Sequence, residues 1–174
     1  MTQPCVTLQR LTRENFTLTS LDGFDRFQEV TEVWRLTDGE YRLVRAPFTE
    51  EWLPARRREK AAEVLSGDYI AYGAMVEGRV AGLLLLEKRL RGRRMVVSSL
   101  HVDRSFRRAG LGRMLFRRAM EEGRRAGADE LYISACSARE TIAFYRAMGC
   151  VQAEPVIPKM AAEEPWDLQL VCPL

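Results

Sequence analysis

The 174-residue sequence has one histidine and four cysteines, and no two cysteines form a C-x-x-C pair (Cys5, Cys136, Cys150, Cys172). That shortage argues against a zinc site and against a disulfide framework, and no metal is expected. A reducing cytoplasm is the expected compartment. No apolar run approaches the roughly 18 residues of a membrane span, so no membrane association is expected. The opening "MTQPCVTLQRLTREN" has no basic segment followed by an apolar one, so no secretory signal is read there. Lysine is scarce: 3 against 24 arginines, for a net charge of only +3. Such a balance, without aromatics interleaved on a basic face, argues against a nucleic-acid partner.

What is present is ordinary globular material, 47% hydrophobic and 29% charged, in a length that suits one domain. "FQEVTEVWRL" and "YRLVRA" alternate apolar and polar residues around Asp-Gly, which predicts a hairpin. "TEEWLPARRREKAAEVLSG" reads as a helix, with Thr49 placed to cap it and Gly67 to end it. From Tyr69 the pattern sharpens. "YIAYGAMV" and "RVAGLLLLEKRL", joined by Glu77-Gly78, predict an antiparallel hairpin, and "RMVVSSLHVD" a third strand. "LGRMLFRRAMEEGRRAGA" is an amphipathic helix with Leu111, Met114, Leu115 and Ala119 on one face. "ELYISAC", "SARETIAFYRAMGC" and "WDLQLVCPL" read as strand, helix and strand. Strand, loop, helix and strand between Arg94 and Ala135 predict a right-handed parallel crossover. The fold class is α/β with a mixed sheet.

Between Asp103 and Phe116 the chain reads "DRSFRRAGLGRMLF". A loop from strand to helix aims the first free N–H groups of the helix at one spot, where an anion is favoured. Gly110 and Gly112 would let a phosphate approach, and Arg107, Arg108 and Arg113 would add charge. The same glycines could equally serve a plain tight turn. The dinucleotide fingerprint fails because position 115 is Leu115 rather than a small residue. The Gly-Lys-Ser/Thr of a Walker loop is absent.

With its R-x-x-G-x-G from Arg107 to Gly112 after a strand ending "LHV", the segment resembles the acetyl-CoA-binding motif of the GNAT acetyltransferases. "SARETIAFYRAMGC" resembles that family's second signature, a Tyr four residues before a helix-ending Gly, here Tyr145 and Gly149. Within the family the chain resembles streptothricin acetyltransferase-like bacterial members. The resemblance implies a mostly antiparallel mixed sheet with a central βαβ unit flanked by helices. Residues 67–174 would be the acetyl-CoA-binding core and residues 1–66 a variable, acceptor-side segment of the same domain. It implies that Arg107, Arg108, Ala109, Gly110, Leu111, Gly112 and Arg113 hold the CoA pyrophosphate. Leu100, His101 and Val102 would pair with the pantetheine arm, and one of their N–H groups would polarise the thioester carbonyl. Tyr145 would protonate the departing CoA thiolate as general acid, or else be a core tyrosine beside Phe144.

Two positions depart from the family's pattern. Ala138 stands where many members carry an Asn that binds pantetheine, with Ser137 next door as a substitute. Val96 stands where some carry a catalytic Glu, so the base is open between His101, a water ordered by Ser98 or Ser99, and Glu87. Glu29, Glu32 and Trp34 on the first hairpin either receive a cationic amine or form its solvated face. Cys136, with no histidine beside it in sequence, argues against a covalent acetyl-enzyme. The expected activity is direct transfer of acetyl from acetyl-CoA to an amine of a small molecule or protein. The alternative is a CoA-binding sensor or interaction module of the same fold. The hairpin-rich amino-terminal part could mediate a homodimer.

Overall fold

The computed structural model describes residues 5–174. The elements run β1 (Val6–Arg10), β2 (Phe27–Thr37), β3 (Glu40–Glu51), α1 (Pro54–Leu65), β4 (Tyr69–Val76), β5 (Arg79–Glu87) and β6 (Arg94–Val102). After a 3₁₀ turn at Arg104–Phe106 come α2 (Leu111–Arg125), β7 (Glu130–Ala135), α3 (Arg139–Ala147), β8 (Val151–Gln152), α4 (Pro158–Glu163) and β9 (Leu168–Pro173). Seven strands form one sheet in the order β1-β4-β5-β6-β7-β9-β8, and β2 and β3 pair separately. Every pairing is antiparallel except that of β6 with β7. The mixed, mostly antiparallel sheet read from the sequence is therefore present, with its parallel crossover through α2.

β5 explains how the layers are built. Its run Leu83-Leu84-Leu85-Leu86 is wholly buried. Leu84 and Leu86 pack with Leu111, Leu115 and Ile142 beneath α2 and α3. Leu83 and Leu85 pack on the opposite face with Ala61 and Val64 of α1 and with Leu11, Phe16 and Leu21 of the amino-terminal loop. A strand covered on both faces has no reason to alternate, so its run is continuously apolar.

Thr49 does not cap α1. It lies inside β3, and the helix begins five residues beyond it with Pro54 at its first position and no side-chain cap at Leu53. Proline suits that position because the missing N–H is one the helix would leave unpaired anyway. Among the described residues no helix is long and apolar enough to cross a membrane.

Candidate active site

The parallel strands β6 and β7 pair at only three positions: Arg94 with Glu130, Met95 with Leu131 and Val96 with Tyr132. Beyond them a cleft of about 450 Å³ opens, walled by residues 97–102 on one side and 133–136 on the other. That volume suits a small-molecule site. On its far side β6 is shifted in register against β5: Leu85 faces Ser99 and Leu86 faces Val97, which leaves Ser98 as an extra, bulged residue. A bulge bends the strand and sharpens its twist.

The backbone of β6 is available along this edge. The Asp103 N–H donates to the Ala81 carbonyl of β5 at 2.9 Å. Successive residues of an antiparallel strand turn their peptide groups to opposite sides. His101 therefore turns its N–H and C=O to β5, and Leu100 and Val102 turn theirs to the cleft. The Arg107 Nε, 3.3 Å from the Val102 carbonyl, agrees with this alternation. Of the three backbone residues expected to pair with a pantetheine arm, two are presented to the cleft and His101 is not.

Buried Asp103 shapes the loop that follows. One carboxylate oxygen accepts the Asp25 N–H and the other the Ser105 N–H, each at 2.8 Å. The chain then passes through Arg108 at φ 67° and Gly110 at φ 83° before entering α2. Gly110 is the N-cap, and its carbonyl accepts the first helical bond, from the Met114 N–H at 3.0 Å. The N–H groups of Leu111, Gly112 and Arg113 are left without helical acceptors. A Cβ at Gly112 would sit in ordinary contact, 3.4 Å from the Phe144 ring, so a side chain longer than a methyl would fill this end of the cleft.

Arg107, Arg108 and Gly112 line the cleft. Ala109 is exposed, and the Leu111 side chain is a core anchor. Gly110 and Arg113 face a separate surface hollow with Arg117 and Arg118. An anion held here would thus meet the backbone N–H of Gly112 and two arginines, a donor set that fits a pyrophosphate.

Tyr145, on α3, is buried and lines the cleft, its ring edge-on to Phe116 and Phe144 at 5.8 and 5.2 Å. Burial raises the pKa of its hydroxyl well above the ordinary tyrosine value, and neighbouring Cys150, Asp167 and Cys136 push the same way. It therefore holds its proton at neutral pH.

His101 lines the cleft without the basicity expected of it. Its Nδ1 accepts the Arg26 Nε–H at 3.0 Å, and its ring meets Trp52 edge-on at 4.7 Å. Burial, and then the charges of Arg26, Lys60 and Arg107, hold its pKa well below the usual histidine value. A ring so poor at gaining a proton is a poor general base. Glu87 is tied to Arg91 by two hydrogen bonds of 2.7 and 2.8 Å and does not line the cleft. The Ser99 hydroxyl, which does, accepts from the buried Lys60 Nζ at 3.1 Å.

Ser137 does not line the cleft either. Its hydroxyl accepts from Arg35 Nη1 at 2.5 Å and its carbonyl from the Trp34 N–H at 2.8 Å. Together with the bridge between Val33 and Ala138, these bonds dock the β2–β3 hairpin against the turn before α3. Val30, Val33 and Ala138 are buried together at that junction. The docking decides which hairpin residues reach the cleft. Glu29 lines it, whereas Glu32 pairs with Arg139 at 2.6 Å and Trp34 lies under the Arg146 guanidinium at 4.5 Å. The three expected acceptor residues are therefore separated.

Sequence reasoning missed Arg26, Ser134, Glu140 and Thr141, which also line the cleft. Ser134 carried a signal: it breaks the apolar run "LYISA" on the strand opposite β6. Its hydroxyl donates to Asp167 Oδ2 at 3.0 Å. Asp167, in a loop before the last strand, carried none. Burial raises the Cys136 thiol above its ordinary pKa, which suits neither a thiolate nucleophile nor a covalent route.

The sequence model of the acetyltransferase (GNAT) family matches residues 37–150. No match is found among curated proteins. The fold is similar to that of a nourseothricin acetyltransferase, with 20% identity, TM-score 0.73, and 97% of this chain and 98% of that one covered. It is also similar to a candidate streptothricin acetyltransferase from Bacillus anthracis str. Ames in complex with acetyl coenzyme A (14%, TM-score 0.73, 98% and 99% covered). A third similar structure is the ribosomal-protein-S18-alanine N-acetyltransferase from Escherichia coli (15%, TM-score 0.61, 97% and 94% covered). At these identities the likeness is one of fold.

Proposed function

The chain belongs to the GNAT acetyltransferase family, and from that premise we propose that it moves acetyl from acetyl-CoA directly to a primary amine of a small molecule or a protein. The observation that carries this reading is the meeting, in one cleft, of a strand edge with free peptide groups, a helix start with free N–H groups, and a protonated tyrosine. Acetyl-CoA would lay its pyrophosphate against Gly112, Arg107 and Arg108. Its pantetheine amides would bond to Leu100 and Val102, as a short extra strand beside β6. An N–H from that edge would then meet the thioester oxygen as negative charge grows on it. Tyr145 would give its proton to the departing sulfur. Holding the two substrates side by side removes the cost of bringing them together, the largest entropic part of the barrier.

The named relatives support an amine acceptor without choosing one: one is named for nourseothricin, one for streptothricin and one for a ribosomal-protein alanine. The test is calorimetric titration of acetyl-CoA into wild type and Gly112→Leu, followed by CoA-release assays with primary amines. The expected outcome is binding by wild type, loss of at least tenfold in affinity in the variant, and turnover with an amine. Failure of folded wild type to bind acetyl-CoA would overturn the reading. Binding with no turnover on any amine would leave the CoA-binding module.

A further inference from the structure

On the face of β7 away from α2, four side chains form one hydrogen-bond chain, and its direction can be read from one end. The Ile157 N–H can only donate, and it does so to the Tyr132 hydroxyl at 2.9 Å. The Tyr132 proton then goes to Gln169 Oε1 at 2.7 Å. That fixes the amide with Nε2 toward Ser134, whose oxygen accepts from it at 2.8 Å. Ser134 is left with its own proton to give, and it gives it to Asp167 Oδ2 at 3.0 Å. Tyr132 and Gln169 are buried, so their polar atoms depend on these partners. Ser134 differs from them because it also lines the cleft. A hydroxyl oxygen has two lone pairs; Gln169 takes one and the other is free.

We propose that Ser134 takes the proton of the incoming ammonium while passing its own to Asp167, so that this pair is the base left unassigned by the motifs. The inference rests on the acetyl-transfer reading above. The nitrogen freed by this step forms its bond to the thioester carbon, and the carbon–sulfur bond breaks. Its second proton passes by way of Tyr145 to the sulfur, and Asp167 later releases the first to water. Ser134 is the group that touches the substrate, and Asp167 acts through it. The surroundings of Asp167 suit the task. Burial lifts its carboxyl to about 6 against the pull of the Ser134 hydrogen bond, and Glu164 in its own loop and Glu50 on β3 raise it further. Tyr145 on α3 and Cys136 beyond β7, the other titratable neighbours, keep their protons and add no charge at neutral pH. A carboxyl titrating near 6 is mostly ionised at pH 7, so the base is present above that pH and lost below it.

The experiment uses Asp167→Asn, whose amide carbonyl can still accept the Ser134 proton, and Ser134→Ala. Streptothricin and a peptide with an amino-terminal alanine serve as acceptors, with CoA release read from pH 5 to 9. In wild type, kcat/KM should rise with pH through about 6. Each variant should lose roughly 100-fold in kcat, and Asp167→Asn should lose that rise. The double variant should be no worse than either single one, and acetyl-CoA affinity should be unchanged. An Asp167→Asn enzyme with the wild-type rate and pH profile would overturn the pair while leaving acetyl transfer intact. Carbon-13 carboxyl titration of Asp167 needs no acceptor: a midpoint near the ordinary 3.8 would overturn it as well. Loss of acetyl-CoA binding by wild type would instead strike the underlying functional reading.

Discussion

Tyr145 keeps its proton because ionising it would place a negative charge among Phe116, Phe144 and the buried thiol of Cys150. Tyr145→Phe keeps the ring and its edge contacts and removes only the hydroxyl. The expected outcome is a fall of roughly 100-fold in kcat with acetyl-CoA affinity within twofold of wild type, checked by steady-state kinetics and calorimetry. An unchanged kcat would make Tyr145 a packing residue. Individual residues divide sharply in how far they can be read from sequence. Arg107, Arg108, Gly112 and Tyr145 stand at fixed spacings from a strand end and a helix end, and all four line the cleft. Ser137, chosen for nearness in sequence to a missing Asn, is instead claimed by Arg35 and Trp34 across the chain. His101 has a suitable free-solution pKa, but burial suppresses it, and so do the charges of Arg26, Lys60, Arg107 and Arg56, which the fold brings around the ring.

Among the elements, the loop from β6 to α2 depends on a residue no motif names. Asp103 is 1% exposed and receives two backbone N–H groups, one from Asp25 and one from Ser105. Asp103→Ala leaves both without that acceptor in a buried place. The expected cost is about 2–4 kcal/mol of stability, measured by urea unfolding, together with weaker acetyl-CoA binding as the loop loosens. No change in stability would show that water replaces the carboxylate. The long amphipathic and apolar segments were legible as elements, α2 and β5 above all. β1, β8 and α4 were not, being five, two and six residues long and without a clear period. The start of α1 was misplaced because β3 runs through Thr49 and on to Glu51, an extent set by its register with β2 rather than by its own composition.

For the molecule as a whole, the decisive feature is that β6 and β7 pair for three residues and then part. A sheet normally satisfies both edges of its inner strands. Here, among the described residues, no strand pairs with the inner edge at Leu100 and Val102, where only the Val102 carbonyl is engaged, by Arg107, so binding can supply what folding withholds. The amides of Leu100 and Val102 should exchange with deuterium rapidly in the free protein and slow by at least tenfold when acetyl-CoA is added. The His101 amide, turned to β5, should be protected in both states. Equal protection of all three without ligand would mean that the edge is closed. The parting itself could not be read from sequence, because it depends on where two distant strands stop matching.

The β2–β3 hairpin pairs with no strand of the seven-stranded sheet; it is attached at Ser137 and Ala138 and still contributes Gln28 and Glu29 to the cleft. Besides backbone bonds and small apolar contacts, its attachment uses Arg35, Glu32 and Trp34, which do not line the cleft. Mutation can therefore drift through the hairpin's cleft-facing positions without disturbing the half proposed to hold acetyl-CoA. A lineage built this way can inherit one donor grip unchanged and try new targets by varying a few codons of a single ribbon.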